Sequence, residues 1–155
     1  MDMLGNALTA CPDELWDTES KFWYKGYHTI FFLDYYLSDT PMEGDYLPPV
    51  PFTKSEFEDN KLPERVYDKA ELLAYLGVAR RKCHDLLAGL TAEELLVKRF
   101  VSEYKDFSIF ELLMYNMRHV QHHTGQLNLL LRQGMLLQQG MKEPPDWVSR
   151  TGARL

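Results

Sequence analysis

The stretch SIFELLMYNMRHVQHHTGQLNLLLRQG, residues 108–134, reads as one long helix with three histidines set into it. Ser108 followed three residues later by Glu111 has the form of a capping box, in which each residue's side chain serves the other's backbone N–H. Apolar residues then recur at three-four spacing as far as Gly134, where the pattern predicts the helix to stop. At about 100° per residue, Leu112, Asn116, His119, His123, Leu127 and Leu130 fall within about 80° of one another. Two histidines therefore face the expected core.

The rest of the chain supplies helices for this one to pack against. Residues 1–10 carry a short helical pattern that Cys11-Pro12 breaks, and Asp13-Glu14 suit the first turn of a brief helix through Trp16. The run ESKFWYKGYHTIFFLDYYL, residues 19–37, has apolar groups on almost every side, as in a helix covered by neighbours or by a second copy of the chain. It is too long for a strand without a turn signal. Residues 38–67 contain Pro41, Pro48, Pro49, Pro51 and Pro63 and read as a long crossover loop. Its aromatics Tyr46, Phe52, Phe57 and Tyr67 predict anchored packing, with a short helix near 53–59.

Asp68 with Glu71 repeats the capping-box form and opens a helix to Gly89, with Leu72, Leu76, Ala79, Cys83, Leu86 and Leu87 at its apolar positions. Thr91 with Glu94 opens a shorter one. Residues 135–155 show no strong period and read as a C-terminal tail pinned by Trp147. There is no internal repeat and no convincing alternating strand. The chain, 155 residues long, thus predicts one all-α domain over 1–155, an up-down four-helix bundle with a long Pro-rich crossover.

Composition excludes several functions. With 17 basic against 23 acidic residues and a net charge of −6, the chain lacks the basic face that phosphate contact needs, which argues against a nucleic-acid partner. Its basic run Arg80-Arg81-Lys82 reads as the solvated face of a helix. No window of 18 apolar residues offers a membrane span. Two cysteines, Cys11 and Cys83, form no disulfide framework, and no signal peptide precedes them, so the expected setting is a reducing cytoplasm. Cys83 lies at an apolar helical position and reads as core. There is no Gly-rich phosphate loop, nucleophile elbow or pair of catalytic carboxylates.

What remains is the histidines. His119 and His123 stand one turn apart, the separation at which two imidazoles close on one metal ion, while His122 points roughly 100° away. The apolar helix of residues 19–37 carries His28 between Tyr24 and Phe32, a candidate third ligand. Burying three imidazoles removes their hydrogen bonds to water, and one divalent ion replaces them at a stroke. Three histidines leave open positions on the ion, as catalytic sites do. Val120 stands where a zinc protease has its glutamate, so that route to hydrolysis is disfavoured. Tyr24, Asn116 and Gln126 lie close to the histidine stripes and are candidate hydrogen-bond partners behind the ligands. No residue stands out as the catalytic group.

The segments FWYKGYHTIFFLDYYL, YLPPVPF, ELLAYL and MRHVQHHTGQLNLLL together resemble the DinB-like superfamily of four-helix-bundle metalloenzymes, over roughly residues 7–150. The most specific element is His119, His123, Gly125 and Gln126. The resemblance implies a divalent transition metal, nickel, zinc or iron, held by that histidine pair and by an earlier histidine that matches His28. It also implies a homodimer and, from relatives, chemistry that joins a low-molecular-weight thiol to a small-molecule electrophile. Two departures stand out. The segment before Cys11 is shorter than the family's usual first helix, and Thr124 occupies a position where many members have arginine, so no role of that arginine carries over.

The leading expectation is therefore a metal-dependent transferase of the thiol S-transferase type. The alternatives are a non-catalytic dimeric bundle that holds a metal or an apolar ligand, and a hydrolase using water on the metal.

Overall fold

A computed structural model describes residues 1–39, 42–58 and 61–139, with the side chains followed as far as residue 134. Among the described residues, six helices run in the order α1 (Asp2–Ala10), α2 (Asp13–Trp16), α3 (Phe22–Tyr35), α4 (Lys69–Gly89), α5 (Ala92–Val97) and α6 (Ile109–Gln139). A 3-10 turn, Ser55–Phe57, lies in the crossover, and two short strands, β1 (Arg99–Val101) and β2 (Asp106–Ser108), precede α6. The architecture is the expected all-α bundle. In it α3 packs on both α4 and α6, and α1 closes the far side against the same two helices.

Local chemistry sets the helix starts. The carboxylate of Asp68 accepts the Glu71 N–H at 2.8 Å while Glu71 accepts the Asp68 N–H at 2.9 Å. Thr91 with Glu94 and Ser108 with Glu111 form the same reciprocal pairs at the heads of α5 and α6. Each pair satisfies two backbone donors that a helix start leaves open. α3 begins at Phe22 rather than Glu19. Residues 18–21 form a turn, with Lys21 N–H donating to the Thr18 carbonyl at 2.9 Å and Lys21 itself left-handed at φ 50°. Asp17 then ties the turn down, accepting from Lys21 and from the Trp23 indole at 2.9 and 2.8 Å.

The surroundings of α3 are found within one chain. Ten of its fourteen residues are buried, under α4, α6 and the crossover, so its all-round apolar surface does not call for a second copy. The crossover is held by its aromatics: Tyr46 and Tyr67 are buried, Phe52 stacks on Tyr75 at 4.3 Å, and Phe57 lies 5.0 Å from Phe31 and 5.1 Å from Tyr35. The Tyr27 hydroxyl adds a bond to the Thr53 carbonyl at 2.6 Å. Asp34, buried in α3, accepts from Tyr46, from Tyr75 at 3.3 Å and from Lys82 of α4. Lys82 is thus not part of a freely solvated basic face, and Arg80 pairs with Asp2 at 2.5 Å.

Three further details differ from expectation. Strands β1 and β2 pair antiparallel with Phe100 opposite Phe107, and Phe100 is buried. Three residues are too few for alternation to show in sequence. Helix α6 does not stop at Gly134 but continues to Gln139, so the tail cannot begin at residue 135. Gly134 is where α6 crosses α2: a Cβ there would lie 2.3 Å from Leu15 Cδ1. Finally, the second half of α4 leaves the core, with Cys83 and Leu86 half-buried and Leu87 exposed. Trp147 and the rest of residues 140–155 lie outside the described residues.

Candidate metal centre

α3 and α6 pack side by side, and that contact brings the histidines together. Among the described residues, His28, His119 and His123 are the group able to hold a metal ion, each offering one ligand atom and all three atoms lying within 4.8 Å of one another. The ring centroids are 5.3 Å apart for His28 and His119, 4.7 Å for His28 and His123, and 4.5 Å for His119 and His123. Phe32 closes one flank, 4.9 Å from the His28 ring and 5.7 Å from that of His119. Asn116 holds the two helices at this spacing: its buried amide donates to the Leu33 carbonyl at 3.1 Å.

Hydrogen bonds fix two of the three rings. His28 Nδ1 meets Glu56 Oε2 at 2.6 Å, and the Glu56 side chain is only 3% exposed. An ionised carboxylate only accepts, so Nδ1 carries the hydrogen and Nε2 presents a lone pair. His123 Nδ1 donates to Gln126 Oε1 at 2.9 Å, the same amide turning its NH2 to His122 Nε2 at 3.1 Å. His123 therefore also presents Nε2. His119 Nε2 lies 3.4 Å from His28 Nε2, while its Nδ1 is buried with no hydrogen-bond partner.

This donor set fits a transition-metal ion. Two nitrogens each about 2.1 Å from one ion, at a tetrahedral angle, lie about 3.4 Å apart, which is the separation of the His28 and His119 Nε2 atoms. Burial also favours the neutral form of His119 and His123, the state in which imidazole ligates. Burial first, then the neighbouring His123 and His28, takes the His119 pKa down to about 3. Burial lowers His123 as well, with the Gln126 bond acting against it.

Of the residues expected behind the ligands, Gln126 touches His123 directly and Asn116 is committed to α3's backbone. The Tyr24 ring lies 6.3 Å from that of His28, and its hydroxyl is pushed up to about 12 by burial and by the charge of Glu56. Glu56 itself escaped the sequence reading, being an acid in a loop without periodicity. The one available signal was its place between the anchoring aromatics Phe52 and Phe57. Val120 is buried, and His122 is exposed outside the cluster. Cys11 and Cys83 lie elsewhere, Cys11 buried with its thiol pushed up to about 12.

No helix among the described residues is long and apolar enough to cross a membrane. No curated protein and no solved structure gives a significant match to the chain. A family model described as DinB superfamily matches residues 2–127, which takes in α1, α3, α4 and all three histidines. The chain belongs to the DinB superfamily.

Proposed function

We propose that His28, His119 and His123 hold one divalent transition metal ion, nickel, zinc or iron, and that the protein is a thiol S-transferase-type enzyme acting on a small electrophile. The observation that carries the metal is the convergence of three imidazoles, two of them held from behind by hydrogen bonds at Nδ1. When bound, the ion supplies Lewis acidity, which lowers the pKa of a thiol placed at its open side. Glu56 and Gln126 keep the His28 and His123 lone pairs aimed inward, and Phe32 excludes water from one flank.

The sulfur comes from a low-molecular-weight thiol rather than from the chain. Cys11 is buried and hard to ionise, and Cys83 is raised by burial too. A hydrolase has less support, because buried Val120 occupies the base position and Glu56 is committed to His28. The setting is a reducing cytoplasm, in keeping with two free cysteines. A homodimer stays in this reading on the family resemblance alone.

Metal analysis of protein purified without a histidine tag tests the proposal. About one equivalent is expected, and less than about a tenth, with no uptake of added zinc or nickel, overturns it. His119→Ala lowers occupancy, and a site that stays full means the ligand set is wrong. A panel of thiols and electrophiles then tests the reaction: metal-dependent product supports the transferase, whereas its absence in metal-loaded protein leaves a binding module.

A further inference from the structure

We infer that Glu56 is a positioning residue that sets the affinity of the histidine site for its ion, so that the proline-rich crossover is a working part of the metal centre. The inference rests on the metal reading above and adds to it a residue contributed from outside the two histidine helices.

Three observations carry it. Glu56 Oε2 lies 2.6 Å from His28 Nδ1, on the side of the ring away from His119, so the carboxylate orients the ring without competing for the ion. Its other oxygen, Oε1, is buried and has no hydrogen-bond partner. A buried carboxylate half-satisfied in this way is an electrostatic debit in the metal-free protein that a dication behind the imidazole offsets. The residue also has no freedom to move away: the preceding Ser55 is buried, Thr53 accepts from Tyr27, and Phe57 lies among Phe31, Phe32, Tyr35 and Tyr46.

Holding that carboxylate has two effects. It forces the tautomer of His28 that presents Nε2, and through that hydrogen bond it makes the ring a stronger electron donor. Glutamine at this position keeps the size and an acceptor but loses the charge, and alanine loses both. Partners of this kind change metal affinity by about 10–100-fold when removed.

The test is titration of the metal-free full chain with Co2+, read by its ligand-field absorption, for wild type, Glu56→Gln and Glu56→Ala, with metal-free melting measured alongside. The expected result is about one equivalent of Co2+ in wild type, binding weakened by about 10–100-fold in Glu56→Ala and by a smaller factor in Glu56→Gln, and an altered absorption envelope. Glu56→Gln is the decisive variant if alanine disturbs folding. Equal affinities in wild type and Glu56→Gln with an unaltered spectrum overturn the role of Glu56 and leave the metal reading standing. So does a loss of Co2+ stoichiometry that only tracks the unfolded fraction, with affinity unchanged. Failure of wild type to bind Co2+ overturns both.

Discussion

Alanine at Gly26 and alanine at Gly125 should change stability in opposite directions. Gly26 lies two residues before His28, at the point where α3 approaches the diagonally opposite α1. A Cβ there would lie 2.7 Å from Leu8 Cδ2 and 3.3 Å from Leu72 Cδ1, against an ordinary carbon contact of about 3.5–4.0 Å. Both leucines are fully buried, so neither can swing away cheaply. Overpacking of this kind costs about 1–3 kcal/mol, here toward the upper end, and glycine to alanine in a helix returns about 1 kcal/mol. The net loss is about 1–2 kcal/mol. Around Gly125, exposed between His123 and Gln126, a Cβ would meet nothing within 4 Å, so only the helical gain of about 0.5–1 kcal/mol applies. The two variants should therefore differ by about 2 kcal/mol, or about 4–8 °C in Tm for a domain of this size. Melting and urea unfolding must be done on chelator-treated protein, since bound metal would add its own stabilisation. A Gly26→Ala protein as stable as wild type would refute the close seating of α3 against Leu8 and Leu72.

Two further outcomes follow from charge and burial. Hydrogen bonds from Arg65 at 2.6 and 2.9 Å and from the Asp68 N–H hold the Glu71 carboxyl down at about 2, against 4.5 ordinarily. A carboxyl depressed on folding contributes stability above its unfolded pKa that is lost as pH falls toward the folded one. Glu71→Gln should thus be less stable than wild type at pH 7 and converge on it between 4.5 and about 2, as read by urea unfolding across that range; a gap that persists at pH 2 contradicts the assignment. In the folded protein, Cys11 should resist a thiol-alkylating reagent at neutral pH and react about 100-fold faster in urea, because burial has taken its thiol up to about 12; peptide mapping that finds Cys11 labelled in native conditions contradicts that burial.

Much of the fold was legible because its signals are local. Asp68, Thr91 and Ser108 each announced a helix start through a partner three residues on, and all three pairs form. Prolines and aromatics marked the crossover and the side chains that hold it. What failed depended on remote neighbours. Gly134 has the sequence character of a helix stop, but a glycine is equally needed where another chain segment comes close, and only the position of Leu15 tells the two apart. Lys82 looks solvated beside Arg80 and Arg81 until Asp34, buried on another helix, is placed against it. The apolar surface of α3 left two readings open, cover by neighbours or by a second copy, because nothing in its own sequence says how much of it the crossover and α6 will cover.

The site divides along the same line. His119 and His123 were legible because a helix fixes the direction of residues four apart, and His28 because it is the histidine of an apolar helix. Their partners were not, since a hydrogen bond behind a ligand depends on distances across the bundle. Asn116 and Gln126 lie on either side of the histidines in α6 and looked equivalent in sequence. The structure gives them different tasks: Asn116 binds the α3 backbone at Leu33 and so sets how far His28 stands from the α6 histidines, whereas Gln126 turns one ring within that spacing. Glu56 turns another from the crossover, 28 residues along the chain from His28. Two rings thus have fixed proton positions, and the third, His119, has no such partner at Nδ1. His119 is also the ring whose neutral form burial favours most strongly, with its pKa taken down to about 3. Hydrogen bonds at Nδ1 therefore orient His28 and His123, while desolvation keeps His119 and, against the Gln126 bond, His123 in the neutral form that can donate to a metal.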